Sequence, residues 1–467
     1  MPDAPGHGRM SAREIIAAVA GNFTEHRPPR RPAPGDGPLG WAGYGESRAR
    51  AAARTGEEES VLHGVAAIGG SSCVLVSFEF GFLGGSLGGH AGDRLEAAYA
   101  LARELRLPLV SLVATGGSRM QEGMIALTQL QRVARASALL RAAGLPQIAV
   151  VRDPTAGGGW ATLGAGSDVV LALPGAQVGF AGSRVRPAGA DPYAYTAEGQ
   201  WAAGQIDAVV PPEELPGTLG RWLAALTVSG PAQPAPVPGP LSAAGLPETG
   251  WEAVEQARSA ARPRAAAYLD AYFEDRLPLS GDRCGGSDPG LLCGVGLHGG
   301  RPVAYVAQCG TATLPAGYRT ASRVIALADR LGIPVLTLVD TPGAANDAEA
   351  ERAGAGAAIA GTFAAIAGAR VPVTTLVIGE GGSGGALALA APDNTHVTAD
   401  SYFSVIAPEQ AAAILKRGPD QVRSTADQLR LRPQDLLELG VVRSVVGPAG
   451  REDRDRSARR ADDGWLA

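Results

Sequence analysis

One pattern occurs twice in this chain, as LARELRLPLVSLVATG at Leu101–Gly116 and LADRLGIPVLTLVDTP at Leu327–Pro342. The prolines of the two copies, Pro108 and Pro334, are 226 residues apart (334 − 108). A second proline pair, Pro146 and Pro372, has the same offset (372 − 146). Each proline opens an apolar run that ends in a turn. The chain therefore contains two related halves.

Predicted strands alternate with predicted helices in both halves, and glycine-rich turns follow the strands. This alternation is typical of an α/β protein. We expect one domain from each copy, arranged in tandem. The predicted divisions are a flexible arm at 1–39, a first domain at 40–225, a linker at 226–249, a second domain at 250–448 and a charged tail at 449–467.

Composition excludes several classes of protein. The net charge of −5 and the absence of a long basic block argue against a nucleic-acid partner. No apolar run reaches the roughly 18–20 residues of a membrane span. The polar start of the chain does not resemble a secretory signal. We expect a cytoplasmic protein that binds neither nucleic acid nor a membrane.

The cysteines and histidines form no pattern typical of metal ligands. Cys73, Cys284, Cys293 and Cys309 contain no C-x-x-C pair, and the six histidines are scattered. Free thiols and the absence of a metal are the simplest expectation.

The sequence TGGSRMQEG at Thr115–Gly123 joins a predicted strand to a predicted helix. The first amides of a helix have no internal acceptors, and the helix dipole adds partial positive charge there. Gly116 and Gly117 would let a ligand carbonyl approach these amides, as in an oxyanion hole. A tight turn that needs positive φ angles is the simpler alternative.

The sequence GEGGSGGA at Gly379–Ala386 fits three patterns. It could be a dinucleotide-binding loop, but it lies late in its domain. It could be a nucleophile elbow around Ser383, but the only following histidine, His396, is close in sequence for a triad partner. The preferred interpretation is a main-chain anion site. The offset aligns this loop with Asp153–Gly159 (379 − 226 = 153), so the halves would supply donors from different turns.

Longer motifs carry a family resemblance. Those of the first half are GGSLG at Gly84–Gly88, GGSRMQEG at Gly116–Gly123, DPTAGG at Asp153–Gly158 and GFAG at Gly179–Gly182. They resemble the β subunit of bacterial acetyl-CoA carboxylase carboxyltransferase. Those of the second half are RPR at Arg262–Arg264, GDR at Gly281–Arg283, GYR at Gly317–Arg319, DTPGA at Asp340–Ala344, VIGEGGSGGA at Val377–Ala386 and YFSVIAPE at Tyr402–Glu409. They resemble the α subunit. The resemblance implies two ClpP/crotonase-like superhelical domains in tandem.

The resemblance also implies the reaction and its sites. In this family, carboxybiotin on a carrier protein donates CO2 to the α carbon of an acyl-CoA. Gly116 and Gly117 would hold the thioester enolate, whereas Gly384, Gly385 and Ala386 would hold the ureido oxygen of biotin. The resemblance assigns to CoA and acyl binding Gly84, Ser86, Gly88, Arg94, Arg119, Gln121, Gly157, Gly158, Phe180, Ala181 and Gly182. It assigns to biotin binding Gly317, Tyr318, Gly343, Ala344 and Ser383.

Further expectations follow from the same family. The cofactors would be biotin on a separate carrier and a coenzyme A thioester, with no metal. The partners would be biotin carboxylase and biotin carboxyl carrier protein, and the chain would form a homodimer or a higher homo-oligomer. The product would be of the malonyl-CoA kind, for fatty acid or polyketide biosynthesis.

Several departures keep two alternatives open. The four-cysteine zinc ribbon of the family's β subunit is absent, and the basic loop before Gly317 is shortened to Gln308–Pro315 without a lysine. These changes leave biotin dependence in question. One alternative is a biotin-independent malonyl-thioester decarboxylase, and the other is a non-catalytic paralogue.

Overall fold

A computed structural model describes residues 9–27, 35–227 and 230–447 of the chain. Within these residues each half forms an eight-stranded sheet. The strands of the first sheet are β1 (Asn22–Glu25), β2 (Val61–Ile68), β3 (Ser71–Phe78), β4 (Leu109–Thr115), β5 (Gln147–Ala156), β6 (Val169–Ala172), β7 (Val178–Gly179) and β8 (Ala208–Val209). Those of the second sheet are β9 (Asp275–Pro278), β10 (Leu291–His298), β11 (Arg301–Gln308), β12 (Val335–Thr341), β13 (Val373–Gly382), β14 (Thr395–Thr398), β15 (Tyr402–Ser404) and β16 (Ser444–Val446).

Helices connect the strands and cover the sheets. The α-helices of the first half are α1 (Ala12–Val19), α2 (Tyr44–Thr55), α3 (Gly89–Leu105), α4 (Gly123–Ala142), α5 (Gly157–Gly159), α6 (Ala197–Ala202) and α7 (Leu215–Leu226). Those of the second half are α8 (Gly250–Arg258), α9 (Ala265–Tyr272), α10 (Pro315–Leu331), α11 (Ala348–Arg352), α12 (Ala355–Gly368), α13 (Ser383–Leu387), α14 (Pro408–Ile414), α15 (Val422–Gln428) and α16 (Pro433–Glu438). A π-helical turn at Trp160–Gly164 continues α5.

The two sheets have the same topology. Their strand orders are β1-β2-β3-β4-β5-β6-β8 and β9-β10-β11-β12-β13-β14-β16, and β7 and β15 pair with the ends of β5 and β13. The first three strands of each sheet are antiparallel, and the later pairs are parallel. The mixed α/β class predicted from the sequence is confirmed.

The 226-residue offset of the sequence is also the offset of the structure. Helices α3 and α10 each have 17 residues and start at Gly89 and Pro315 (315 − 89 = 226). The register between neighbouring strands shifts just before Thr115 in β4 and just before Thr341 in β12. Irregular as well as regular backbone is therefore repeated.

The two halves share one apolar core. Leu219 and Trp222 of α7 are buried in the same cluster as Val295 and Val306 of the second sheet. Buried Asp207 adds a polar junction, because its carboxylate accepts hydrogen bonds from Arg283 (2.5 Å) and Arg323 (2.9 Å) of the second half. The halves therefore pack as one body.

The predicted flexible arm at 1–39 is wrong for residues 9–27. Ser11 caps α1 through a capping box with Glu14, and β1 pairs with β2 at the edge of the first sheet. Residues 1–8 and 28–34 of the arm and the predicted charged tail at 449–467 lie outside the described residues. Residues 230–249 of the predicted linker contain no helix or strand. No helix in the described part of the chain is both long and apolar enough to cross a membrane.

Candidate active site

The same threonine–glycine turn ends β4 and β12. The amide of Gly117 donates to Thr115 Oγ1 at 3.1 Å, and the amide of Gly343 donates to Thr341 Oγ1 at 3.1 Å. The φ angles of Gly117 and Gly343 are 102° and 144°, which L side chains rarely adopt. Glycine is therefore required at the third position of each turn.

Backbone hydrogen bonds also hold each turn against a loop that comes earlier in the chain. In the first half Leu87 donates to the Gly117 carbonyl at 2.9 Å. In the second half Thr313 donates to the Gly343 carbonyl at 3.1 Å. Isolated bridges Leu87–Ser118 and Thr313–Ala344 accompany these bonds. Both turns are held by the backbone before any ligand is bound.

The glycine loops of the first half meet around this turn. The Gly116 amide donates to the Gly84 carbonyl at 2.9 Å, and the Gly157 amide donates to the Phe180 carbonyl at 3.1 Å. A Cβ added to Gly117 would lie 3.7 Å from Gly157 Cα. The structure thus brings Gly84, Gly116, Gly117, Gly157 and Phe180 together. Both amides of the Gly116-Gly117 pair already have intramolecular acceptors.

The Arg119 side chain is fully enclosed in an ion network. Its guanidinium donates to Glu59 (3.1 Å) and to the Tyr44 hydroxyl (3.2 Å), and it lies 3.4 Å from Glu122. Burial opposes the charge, but attraction by Glu59 outweighs it, and the pKa of Arg119 is raised. Burial likewise raises the pKa of Tyr44 to about 12. Arg119 is placed to support, from inside the protein, the loop that contains the Gly116-Gly117 turn.

Ser86 belongs to the same network, because its hydroxyl accepts from Arg119 Nε at 3.1 Å. A Cβ at Gly88 would lie 2.5 Å from Glu122 Oε1, so this glycine makes room for the network. Arg94 donates to the Val61 carbonyl at 2.8 Å, and its side chain is only 16% exposed. These residues support the loops around the Gly116-Gly117 turn from inside the protein.

Other residues of the first half lie at the rim. Phe180 and Met120 are 73% and 76% exposed, and Met124 is 66% exposed. Ala181 and Gly182 follow Phe180 and are half-buried. The remaining predicted binding residues of this half are half-buried Gln121 and buried Gly158, where a Cβ would lie 2.4 Å from Leu130. An apolar rim therefore surrounds the first turn.

The second half presents a strained residue at the start of α13. Ser383 has a φ of 58°, and its counterpart in the first half, Gly157, has a φ of 61°. Ser383 and Gly384 are exposed, and a Cβ at Gly384 would meet nothing within 4 Å. A Cβ at Gly385 would lie 2.4 Å from Ala344 N. Gly384 thus faces open space, whereas Gly385 packs on the Gly343–Ala344 backbone.

The amides that open α13 have no acceptor among the loops and side chains around them. Among the described residues, Gly384, Gly385 and Ala386 donate to no side chain and to no carbonyl outside the helices and strands. The first amides of a helix also have no acceptor within the helix itself. These donors are what an anionic carbonyl oxygen requires.

Gly317 and Tyr318 of α10 are buried, unlike Ser383. The Tyr318 hydroxyl donates to the Gly385 carbonyl at 2.9 Å, and its side chain is enclosed. Gly317 packs against the Asp288 carboxylate and lines a groove of about 750 Å³ that is formed mainly by the second half. Tyr318 therefore contacts the start of α13 from inside the protein.

The nucleophile-elbow alternative finds no support in the geometry. His396 lies on β14, where its Nδ1 is 2.7 Å from Ser444 Oγ and its Nε2 is 3.3 Å from Asn394 Oδ1. Both ring nitrogens are thus engaged away from Ser383. Within the described ranges no group of three or more His, Cys, Asp or Glu side chains could hold a metal ion.

Sequence reasoning missed the side chains that support these loops. Glu59, Glu122 and Tyr44 surround Arg119, and Gln308 contacts Gly385 from 77 residues away. Thr115 and Thr341 could have been found from the repeat, since the offset aligns them. The others lie far apart in sequence and form no local pattern.

Comparison with known proteins gives matches over both halves. The carboxyl transferase domain family matches residues 41–209, and the acetyl co-enzyme A carboxylase carboxyltransferase-like family matches residues 247–462. The acetyl-coenzyme A carboxylase carboxyl transferase subunits beta/alpha of Saccharopolyspora erythraea is 40% identical over 98% of this chain and 84% of its own length. The protein of the same name from Salinispora arenicola is 38% identical over 100% of this chain and 88% of its own length.

Solved structures agree on the fold. A transcarboxylase 12S structure with hydrolysed methylmalonyl-coenzyme A bound has a TM-score of 0.76 and 21% identity, over 98% of this chain and 92% of that one. A single-chain, multi-domain long-chain acyl-CoA carboxylase has a TM-score of 0.71 and 20% identity, over 97% of this chain and 46% of that one. The expected pair of crotonase-like domains is confirmed. The chain belongs to the carboxyltransferase family of biotin-dependent acetyl-CoA carboxylases, with a β-type half followed by an α-type half in one polypeptide.

Proposed function

We propose that this chain moves CO2 from carboxybiotin on a separate carrier protein to the α carbon of an acyl-CoA. The observation that carries the proposal is the repeated turn after β4 and β12, with glycine loops beside each copy. Both half-reactions place negative charge on a carbonyl oxygen, which main-chain amides stabilise without a side-chain base. Two related halves would provide one such site each.

The first half would bind the CoA thioester. We assign the enolate oxygen to the Gly116-Gly117 turn, and the Gly117 amide is the better candidate. Its present acceptor is the Thr115 side-chain hydroxyl, whereas the Gly116 amide is bonded to a main-chain carbonyl, that of Gly84. The loops at Gly157 and Phe180 would line the acyl and CoA groups.

Arg119, Ser86 and Arg94 would act on this site indirectly. The Arg119 side chain has no exposed surface and the Arg94 side chain has 16%. Neither guanidinium is exposed enough to bind a phosphate group at the surface. We assign them, with Gly88 and Gly158, to the support of the loops, and Gly84, Gln121, Ala181 and Gly182 to the lining of the CoA site.

The second half would bind biotin. Gly384, Gly385 and Ala386 would supply amides to the ureido oxygen, and Gly343, Ala344 and Ser383 would line the ring. The fit is supported by the open space at Gly384 and by the amides of Gly384, Gly385 and Ala386, which donate to no described side chain or loop carbonyl. Carboxybiotin held there would supply the carboxyl group and, after giving it up, a base for the α proton of the acyl group.

A homo-oligomer would complete the site. Neither Gly117 nor Gly384 takes part in the hydrogen bonds and ion pairs that join the halves among the described residues. On the first half these involve Leu145, Asp168, Gly204, Gln205, Asp207 and Arg221. Exposed apolar side chains flank both turns at equivalent places, Phe180 after β7 and Val405 after β15, at 73% and 72% exposure. We propose that a second copy brings the first half of one subunit to the second half of another.

The partners follow from this reaction. Biotin carboxylase and biotin carboxyl carrier protein would load and deliver the carboxyl group in the cytoplasm. With an acetyl group as acceptor the product would be malonyl-CoA, the precursor of fatty acid or polyketide chains.

The test is a reconstituted assay with biotin carboxylase, biotinylated carrier protein, ATP and bicarbonate. We expect carboxylation of at least one of acetyl-CoA, propionyl-CoA and malonyl-CoA, dependent on the carrier. Decarboxylation of malonyl-CoA without a carrier would contradict the proposal and would instead identify a decarboxylase. Inertness toward all thioesters, together with tight assembly on an active homologue, would identify a non-catalytic paralogue.

A further inference from the structure

Three buried side chains of the second half converge on one peptide group. The Gly385 carbonyl accepts from the Tyr318 hydroxyl at 2.9 Å and from Gln308 Nε2 at 3.4 Å. Gln308 Nε2 also donates to Thr313 Oγ1 at 3.0 Å. Each of the three side chains is at most 1% exposed. We refer to Gln308, Thr313 and Tyr318 as the Gly385 clamp.

The clamp controls the direction of a neighbouring amide. The Gly385 carbonyl and the Ala386 N–H belong to one planar trans peptide, in which they point in opposite directions. Fixing the carbonyl therefore fixes the N–H. Hydrogen bonds to the carbonyl also polarise the peptide, so the Ala386 amide becomes a stronger donor. The clamp thus fixes the plane of this peptide and with it the direction of the Ala386 N–H.

The fold itself does not require this arrangement. At the 226-residue offset the first half has Gly92 in place of Tyr318 and Gly159 in place of Gly385, and no described side chain donates to the Gly159 carbonyl. Gln308 is also imperfectly satisfied, because its buried Oε1 has no hydrogen-bond partner in the described structure. A buried polar group left unpaired is unfavourable for stability alone and calls for a functional reason.

We propose that Tyr318 and Gln308 are positioning residues that orient the Ala386 amide toward the carbonyl oxygen of the carboxyl-carrying ring. This inference rests on the proposed function and changes one assignment that the family resemblance implied. By resemblance Tyr318 would contact biotin, whereas its buried hydroxyl acts through the Gly385 peptide. Thr313 holds the Gln308 amide in place, so it supports the same peptide at one remove.

The test compares Tyr318→Phe and Gln308→Met with Tyr272→Phe. The control removes a hydroxyl of the same kind, because Tyr272 donates to the Pro236 carbonyl at 2.9 Å, away from α13. Carboxyl transfer from the carboxylated carrier is measured in the reconstituted system. We expect kcat to fall about tenfold or more in both test variants and to stay within about twofold in the control. The KM values for acyl-CoA and for the carrier should hardly change.

Hydrogen exchange followed by mass spectrometry gives a second readout that does not depend on activity. The segment 383–387 should exchange faster in Tyr318→Phe than in wild type, and Tyr272→Phe should leave this segment unchanged. A rise in the KM for the carrier at constant kcat would overturn the inference, since it would indicate direct contact with biotin. Equal kcat in Tyr318→Phe and Tyr272→Phe would also overturn it.

Failure of the proposed function is separable from failure of this inference. If wild type transfers no carboxyl group, both fall together. If wild type is active and only the clamp variants behave like the control, the inference alone fails. Should Gln308→Met not fold, Thr313→Val loosens the same peptide, and the same drop in kcat is expected.

Discussion

One side chain distinguishes the two helix starts that follow β5 and β13. Gly157 and Ser383 have nearly the same left-handed φ, 61° and 58°. A left-handed conformation costs an L residue about 1–2 kcal/mol relative to the right-handed one. A serine kept in such a conformation points to a function for its side chain. Ser383 is exposed at the start of α13, which agrees with its proposed place in the biotin site.

The variant Ser383→Gly separates stability from activity. We expect its free energy of unfolding to be unchanged or up to about 1 kcal/mol higher, because glycine adopts this φ without strain. Carboxyl transfer should nevertheless decrease. The reverse change in the first half, Gly157→Ser, should lower stability by about 1–2 kcal/mol. Urea unfolding and the reconstituted assay measure both effects. Full activity of Ser383→Gly would exclude a role of its hydroxyl at the biotin site.

Buried His63, which contacts exposed His26, makes stability depend on pH. His63 on β2 is 1% exposed, and its Nε2 lies 3.2 Å from His26 Nδ1. Burial, with smaller contributions from His26 and Arg94, lowers the pKa of His63 from 6.5 to about 4. The unfolded chain therefore binds more protons than the folded chain between these two pH values. Stability must fall as the pH falls through this window.

The expected loss is measurable by urea unfolding at two pH values. From about pH 7 to about pH 5, His63 alone should lower the free energy of unfolding by about 2 kcal/mol. His396, whose pKa burial also lowers to about 4, should contribute a similar amount. The variant His63→Gln should therefore lose about half of this pH dependence. An unchanged pH dependence would contradict the assignment to His63.

At the scale of elements, α1 is a structural part of the first half. Its apolar residues Ile15, Ile16 and Val19 are at most 5% exposed and belong to the core shared by the halves. The Ala12 amide, moreover, donates to Glu79 at 2.8 Å. The polar and proline-rich sequence around this short helix hid its amphipathic pattern. Its buried residues Ala12, Ile15, Ile16 and Val19 have helical spacing, but a helix of eight residues is marginal in isolation, so burial against another element decides the outcome.

Truncation of one α1 side chain tests this placement. Ile15→Ala should lower the free energy of unfolding by about 2–5 kcal/mol, as for other buried isoleucines. Ala18→Ser on the exposed face of the same helix should change it by less than about 0.5 kcal/mol. Thermal or urea unfolding measures the difference. Equal stability of the two variants would contradict a structural role of α1.

At the scale of the whole molecule, one carboxylate joins the halves. Asp207 accepts from the Val170 and Ser280 amides at 2.8 and 3.2 Å as well as from Arg283 and Arg323. Close backbone packing accompanies it, since a Cβ added to Gly281 would lie 2.1 Å from Gly204 Cα. The junction is therefore specific in geometry as well as in charge.

Neutralising this carboxylate should weaken the whole protein. Asp207→Asn leaves two partly buried guanidinium groups without a counter-charge, and we expect a loss of about 3–5 kcal/mol. Asp275→Asn breaks the exposed pair with Arg221, which also joins the halves, and should cost less than about 1 kcal/mol. Calorimetry of both variants measures the contrast. A small effect of Asp207→Asn would show that the apolar core alone holds the halves together.

Most of the fold was predictable because both copies of the repeat are visible as local sequence patterns. Pro108 and Pro334 stand directly before β4 and β12, where a missing amide hydrogen does no harm, and both turns keep their glycines. The proposed site was predictable only in its backbone. The surroundings of Arg119 and Gly385 come from residues such as Glu59 and Gln308, about sixty and eighty positions away in the chain. Local patterns do not encode which distant side chains meet.

The core shared by the two sheets has a consequence for the integrity of the polypeptide. Trp222 and Val306 lie in one continuous apolar interior, whereas Gly245 and Leu246 of the connecting stretch are exposed. Hydrolysis of the peptide bond between those two residues would remove a covalent link without exposing the interior. Both fragments would then remain associated through gel filtration, as separate chains of one particle. The covalent link would then serve mainly to supply the two halves in equal amounts during synthesis, and it would contribute little to holding them together afterwards.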